Sequence, residues 1–426
     1  MGKESENKLW KNKQYMHLIG AQIVSSLGDW LDILALLALV AIKWDTTPIG
    51  VSGVMVCIAI PMITLGPFAG AISDKFDRKR IMIISDLIRC LVVLGFVVAS
   101  SLWQIYLLLL IKSAFASLFV PAKNGKLKEI VHEKDIQQAM GISGMIDNSS
   151  KIIGPTLSGI LVSFIGVNIA FFIDAATFVI SAVFLLGVTN STYQQAEKKE
   201  QYSRRSIFHQ IIEGYVHLKQ IPSLTFGLIG LSCGLLVLQI ADSQIMILLR
   251  GIEGDPVRIA GYAMASSGAG MFIMSAILSK RNLNISLPTT MGLGVSIVGV
   301  GIVGAAIIVE LSQLAITIVL PILFCIIGIA FTAVILPFNI AVQKETPVQL
   351  SGRVFGTINS ITMLATIIGM VSGGILSEII GVQATFFISG GSLIIVGFGA
   401  LFRKQHLESR DVFAESNGGA QKKTAP

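Results

Sequence analysis

Apolar residues run along this chain in long blocks separated by short polar clusters. The blocks fall at about 16–43, 48–73, 81–100, 102–120, 140–165, 168–189, 224–249, 257–279, 286–309, 313–336, 354–379 and 382–402. An α-helix needs roughly 20 residues to cross about 30 Å of hydrocarbon, which most of these blocks supply. A barrel strand would instead alternate over about ten residues. The pattern therefore predicts an all-α membrane protein with twelve transmembrane helices. The first block is too long for the core of a signal peptide, and no small-residue cleavage site follows it, so it is expected to remain as a membrane helix.

The longest polar interruption, 190–222, divides six blocks from six. It predicts an N-tail at 1–15, an N-terminal six-helix half at 16–189, the central loop, a C-terminal six-helix half at 223–402 and a C-tail at 403–426. Within the loop, Ile207, Phe208, Ile211, Ile212, Tyr215 and Leu218 fall at helical spacing, which predicts an amphipathic helix on the membrane surface.

The halves repeat each other. Residues 152–173 read IIGPTLSGILVSFIGVNIAFFI and residues 367–388 read IIGMVSGGILSEIIGVQATFFI, with IIG, GIL, IGV and FFI in register at an offset of 215. A weaker match, LIG at 18–20 and 228–230, sets Asp32 opposite Asp242. Six spans per repeat give both halves the same orientation, related by an axis along the membrane normal. Two pseudo-symmetric six-helix halves imply a cavity between them and a transporter.

Composition agrees. Hydrophobic residues make up 53% of the chain, charged residues only 13%, and the mean hydropathy is +0.77. Soluble domains carry about 25% charged residues. The net charge of +7 resembles a nucleic-acid footprint until the charges are placed. The tails and even-numbered loops hold 26 of the 32 Lys and Arg, and the opposite loops hold Lys43, Arg250 and Arg258 alone. By the positive-inside rule both termini are expected in the cytoplasm, and the basic excess reports topology, with no nucleic-acid partner. Cys57, Cys90, Cys233 and Cys325 lie inside apolar blocks without pairing or metal spacing and read as small core residues. The five histidines lie at block ends or in loops, so no metal site or histidine relay is expected inside the membrane. No phosphate-binding loop or hydrolase motif is present, and no cofactor is expected.

The stretch GAISDKFDRKR, Gly70 to Arg80, lies between the second and third blocks. Its Gly70, Asp74, Arg78 and Lys79 resemble the G-x-x-x-D-[RK]-x-G-[RK]-[RK] signature of the major facilitator superfamily, with Asp77 where glycine is usual. The resemblance implies a cytoplasmic latch between the halves. LLIKSAFASLFVPA resembles the family's basic helix-four motif, with Lys112 where arginine is usual. GPTLSG, containing Gly154, Pro155 and Gly159, resembles the helix-five motif of exporters. LSGRVFGTINSI, VPAKNGKLKEIV and FFIDAATFV are similar to the macrolide-efflux and siderophore-exporter branch. Apart from any resemblance, the small faces at Gly154, Ser158 and Gly159, and at Gly369, Gly373 and Gly374, predict close helix packing.

Ionisable residues at membrane depth each need a reason. Asp29 and Asp32 share roughly one face of the first span and would share a proton in a poorly hydrated cavity. The alternative is that each is paired or meets water. Asp86 with Arg89, and Asp147 with Lys151, have the spacing of structural ion pairs. Lys112 would neutralise a carboxylate or sense its protonation. Asp174 and Asp242, expected toward the outer half of the bilayer, are candidates to meet a cationic substrate.

The sequence thus points to a monomeric secondary transporter of a bacterial-type cytoplasmic membrane. Its expected partners are a small amphiphilic or drug-like substrate, protons and the lipid bilayer. Export by proton antiport is the favoured reading. The alternatives are a proton-independent facilitator of a native solute or lipid, and a receptor that uses the same fold without transport.

Overall fold

The computed structural model describes residues 9–189, 215–216, 218–252, 255–280, 287–346 and 348–421. These residues form long helices joined by short turns: α1 (Lys13–Leu37, continued by a π-helical turn at Ala38–Lys43), α2 (Pro48–Lys75), α3 (Arg78–Val98), α4 (Leu102–Ile130), α5 (Ile136–Ile165) and α6 (Val167–Leu186). After the central loop come α7 (Pro222–Asp242, resuming at Ile245–Arg250), α8 (Pro256–Lys280), α9 (Leu287–Ile308), α10 (Gln313–Glu345), α11 (Val348–Ile380) and α12 (Val382–Gln421). Eleven are long and apolar enough to cross a membrane. The remaining one, α5, is 30 residues long. Most of the expected amphipathic helix, through residue 214, lies outside the described residues. Of its apolar stripe Tyr215 is exposed and Leu218 is buried.

Local chemistry sets the helix starts. Asn12 caps α1, its side-chain oxygen accepting from the N–H groups of Gln14 and Tyr15, while its amide donates to the Ile130 carbonyl at the end of α4 (2.8 Å). Thr47 caps α2, and Pro48 occupies its first turn, where no N–H is needed. Between α5 and α6 a single residue, Gly166, turns the chain with φ +92°, and between α11 and α12 Gly381 does so with φ +86°. Side chains avoid that region, so glycine is required at both. The two positions are 215 residues apart, the offset of the sequence repeat.

Two compact units result. The first comprises Met1–Arg204 with Leu249–Gly268, and the second comprises Arg205–Leu248 with Ala269–Pro426. In the first, α1 packs on α5 and α6, α4 packs on α2 and α3, and α3 packs on α6. Arg250 closes part of this unit, its Nη1 lying 2.8 Å from Asp45 Oδ1 and donating to the Thr46 carbonyl at 3.0 Å. In the second, α7 packs on α11 and α12, and α9 packs on α10 and α12, so the partner pattern of the repeat recurs.

The small-residue faces at Gly154, Ser158, Gly369 and Gly373 pack closely on neighbouring helices. Gly154 abuts the Trp30 side chain of α1, and Ser158 donates to the Leu31 carbonyl. Their counterparts at +215, Gly369 and Gly373, abut the Leu236 and Ile240 carbonyls of α7. Gly292 and Gly299 of α9 lie against Gly397 and Gly390 of α12 with almost no side chain between the backbones. Leu91, Val98, Phe164, Ile379 and Ile395 are exposed, as lipid-facing positions must be.

Candidate functional site

Charged side chains are buried in the first unit. Asp32, Asp86, Arg89, Lys112, Lys123, Lys126 and Asp174 are each less than a tenth exposed. In the second unit the buried polar residues among those described are all uncharged, such as Gln244, Thr332, Thr357 and Ser377.

The central cluster joins α1, α3, α4 and α6. Arg89, 1% exposed, donates from Nη1 to both oxygens of Asp29 (3.1 and 3.0 Å), and from Nη2 to Ser25 (3.1 Å) and Asp86. Asp86 also accepts from Ser181 Oγ of α6 (2.6 Å). The guanidinium lies over the rings of Phe119 and Phe178, 4.7 and 4.5 Å from their centroids. Those rings exclude water and favour the cation. Lys112 Nζ lies 2.5 Å from Asp32, 3.8 Å from Asp29 and 3.9 Å from Asp174. Asp174 is fully buried and its Oδ2 makes no hydrogen bond, while Oδ1 accepts a long bond from Thr177 (3.3 Å). Helix α6 is drawn against α1 by Gly28, where even a methyl group would overlap Thr177 Oγ1 and Asp174 Oδ1. Asp29, with a side chain 36% exposed, is the accessible edge of the cluster.

This geometry bears on three expectations. Asp29 and Asp32 lie in one cluster, each paired with a cation as in the alternative above: Arg89 binds Asp29, and Lys112 binds Asp32 and lies 3.8 Å from Asp29. Asp86 and Arg89 form the expected ion pair, and the guanidinium is wide enough to reach Asp29 as well. Asp174, in the first half of α6, joins the same cluster, 3.9 Å from Lys112.

A second polar bridge links α1, α4 and α5. Gln22, 1% exposed, donates to Asp147 Oδ1 (2.8 Å) and to the Ser143 carbonyl (2.9 Å), and accepts from Ser143 Oγ. Asp147 Oδ2 accepts from Lys123 Nζ at 2.9 Å. Asp147 was expected to pair with Lys151, whose side chain lies outside the described residues. Among the described residues its cation is Lys123, which α4 supplies by continuing to Ile130, ten residues beyond its apolar block. Lys123 and Lys126 read as loop residues in the sequence. Pro121 and Asn124-Gly125 read as helix breakers, yet the helix runs through them to Ile130, so no local signal moved these lysines out of the loop.

In the signature loop, Asp77 caps α3 by accepting from the Arg80 N–H at 3.1 Å. That role explains an aspartate where the family has glycine, since both residues suit an N-cap. Arg78 bonds Glu129 of α4 and packs on Gly125, and Lys79 donates to the Leu186 carbonyl of α6 at 2.9 Å. Gly70 has open space around it. The side chains of Asp74, Pro155 and Gly159 lie outside the described residues. Asp242 belongs to the second unit and is exposed. Of the four cysteines, all free, only Cys90 is buried, so the expectation of four core residues holds for that one.

Comparison with known proteins places this architecture. The chain is 43% identical over 418 residues to the MFS-type transporter YfiS of Bacillus subtilis, covering 98% of this chain and all of that one. It is 26% identical over 354 residues to macrolide efflux protein A of Streptococcus pyogenes, covering 79% and 83% of the two chains. The crystal structure of the nucleoside transporter NupG superposes with a TM-score of 0.69 over 92% of this chain and 98% of that one, at 17% identity. The Major Facilitator Superfamily profile matches residues 18–370. The protein belongs to the major facilitator superfamily of membrane transporters.

Proposed function

We propose that the protein is a secondary active exporter of amphiphilic, drug-like molecules, driven by proton entry and working by alternating access. One observation carries the proton coupling: among the described residues, the cations of the central cluster that meet Asp29, Asp32, Asp86 and Asp174 are Arg89 and Lys112. A membrane site with more acids than bases is an expensive arrangement, and its use is to bind and release a positive charge. The efflux direction and the amphiphilic substrate class are inferred from the named relatives, macrolide efflux protein A among them.

In this reading Asp29 is the accessible entrance to the cluster and Lys112 the group that reports its charge. Gly70, Asp74, Asp77, Arg78 and Lys79 form the cytoplasmic latch. Both termini face the cytoplasm, and the working unit is a monomer. Efflux should be measured in cells stripped of other exporters, with a macrolide and a fluorescent lipophilic cation as probes. The expected result is lower accumulation of at least one probe, abolished when a protonophore collapses the gradient. Accumulation unchanged by expression of the protein overturns the export reading. Efflux that survives the protonophore overturns the coupling.

A further inference from the structure

Counted as ionised, the central cluster has two more negative charges than positive ones: Asp29, Asp32, Asp86 and Asp174 against Arg89 and Lys112. The compensation is unevenly shared. Asp86 has Arg89 on one oxygen and Ser181 on the other. Asp29 has two bonds from Arg89 and an exposed edge that water can reach. Asp32 has Lys112 at 2.5 Å on Oδ2, while its Oδ1 has no hydrogen-bond partner. Asp174 is left with the long Thr177 bond on Oδ1, and its Oδ2 is 3.9 Å from Lys112 with no hydrogen bond at all. A fully buried carboxylate is not tolerated with so little compensation.

We propose that Asp174 is where the exchanged proton resides, and that Lys112 moves between Asp32 and Asp174 as this proton returns and leaves. The inference rests on the proton-coupled reading above and names the residue that reading leaves open. A proton needs no coordination shell and so suits a carboxylate packed this tightly against α1. Gly28 brings α1 so close that no methyl group fits beside Asp174 Oδ1. The charged and titratable groups facing Asp174 are Asp29 and Asp32 from α1, Arg89 and Cys90 from α3, and Lys112 from α4. Thr177 is its polar neighbour on α6 itself.

The arrangement in the structure corresponds to the loaded form. The O–H bond is at Asp174 Oδ2, the carboxyl is neutral, and Lys112 is free to pair with Asp32. On release the O–H bond breaks and the proton passes to water, leaving a carboxylate. Lys112 then turns from Asp32 toward Asp174, and the uncompensated negative charge shifts from α6 to α1. A proton taken from the opposite aqueous phase reverses each step.

Infrared difference titration of the protein in liposomes tests this without any substrate. A protonated carboxylic acid has a C=O stretch separate from that of carboxylates, and it shifts in D2O. The wild-type protein should show such a band at acid pH and lose it at alkaline pH. The band should be absent from Asp174→Asn and present in Asp29→Asn. Asp174→Glu, which keeps a carboxyl, should show it at a shifted position. That variant separates loss of the proton site from loss of fold. A band that survives in Asp174→Asn overturns the assignment, and one that disappears in Asp32→Asn alone moves it to Asp32 while leaving proton coupling intact. Absence of any titrating band in the wild type overturns the inference whatever the efflux assay gives. Conversely, a failed efflux assay leaves the infrared result standing as a property of this cluster.

Discussion

Arg89 binds two carboxylates on different helices, donating to both oxygens of Asp29 in α1 and to Asp86 on its own helix α3. Arg89→Met would leave Asp86, 0% exposed, ionised without its cation. Breaking a buried pair from one side costs roughly 3–5 kcal/mol. The thermal midpoint in detergent should fall, and the combined variant Arg89→Met with Asp86→Leu should recover part of the loss. A double variant no more stable than the single one sinks the pairing argument.

Gly28 is the point where α1 and α6 meet most closely at the cluster. A Cβ there would overlap Thr177 Oγ1 and Asp174 Oδ1. Gly28→Ala is expected to cost about 1–3 kcal/mol, the usual range for overpacking. Adding Thr177→Ala removes one of the two obstructing atoms and should restore part of the stability. If Gly28→Ala raises the thermal midpoint instead, the close approach is wrong.

Two adjacent glycines of α12 make a matched test of helix contact. Gly390 lies against the Gly299 carbonyl and Val303 of α9, whereas Gly391 has open space around it. Gly391→Ala should be neutral or stabilising by up to about 1 kcal/mol through helix propensity. Gly390→Ala should destabilise by about 1–3 kcal/mol. Equal thermal midpoints for the two variants would falsify the packing.

Asp77 offers a test of why aspartate replaces the family's usual glycine. Its carboxylate accepts from the Arg80 N–H at the start of α3. Asp77→Ala should cost about 0.5–2 kcal/mol and Asp77→Gly only a few tenths. Thermal midpoints in the order wild type, Gly, Ala support the cap. Reversal of Gly and Ala counts against it.

Topology is tested by labelling. With 26 basic residues assigned to one side and 3 to the other, Lys134 belongs inside and Asp255 outside. In a background without the native cysteines, an impermeant maleimide should reach Asp255→Cys in intact cells. It should reach Lys134→Cys only after permeabilisation. The opposite pattern inverts the proposed orientation.

What the sequence made legible was whatever has a period. Apolar blocks showed the helices, because a span must be apolar along its whole length. The repeat showed Gly166 with Gly381 and Gly154 with Gly369, and the backbone turns and packing contacts repeat at the same offset. Pairings between helices were not legible. Asp29 and Asp32 are three residues apart and read as one site, yet their cations come from α3 and α4. Asp147 has a lysine four residues along the chain, yet it bonds to Lys123, 24 residues back. Nothing local encodes which cation faces which acid. That depends on how the helices rotate and approach, which small residues such as Gly28 and Gly154 set. The end of α4 was missed for a related reason: its last turns are polar on the outside and hold lysines inside.

The grouping of Leu249–Gly268 with the first unit, with Arg250 bonded to Asp45 and the Thr46 carbonyl, makes that unit discontinuous in the chain. A polypeptide cut in the central loop is therefore expected to yield two pieces that depend on each other. The upstream piece lacks a segment of its own unit, and the downstream piece carries that segment. The two pieces should therefore reassemble when made together from separate messages, and neither should mature well without the other. The connection through Arg250 would serve as the complementation contact.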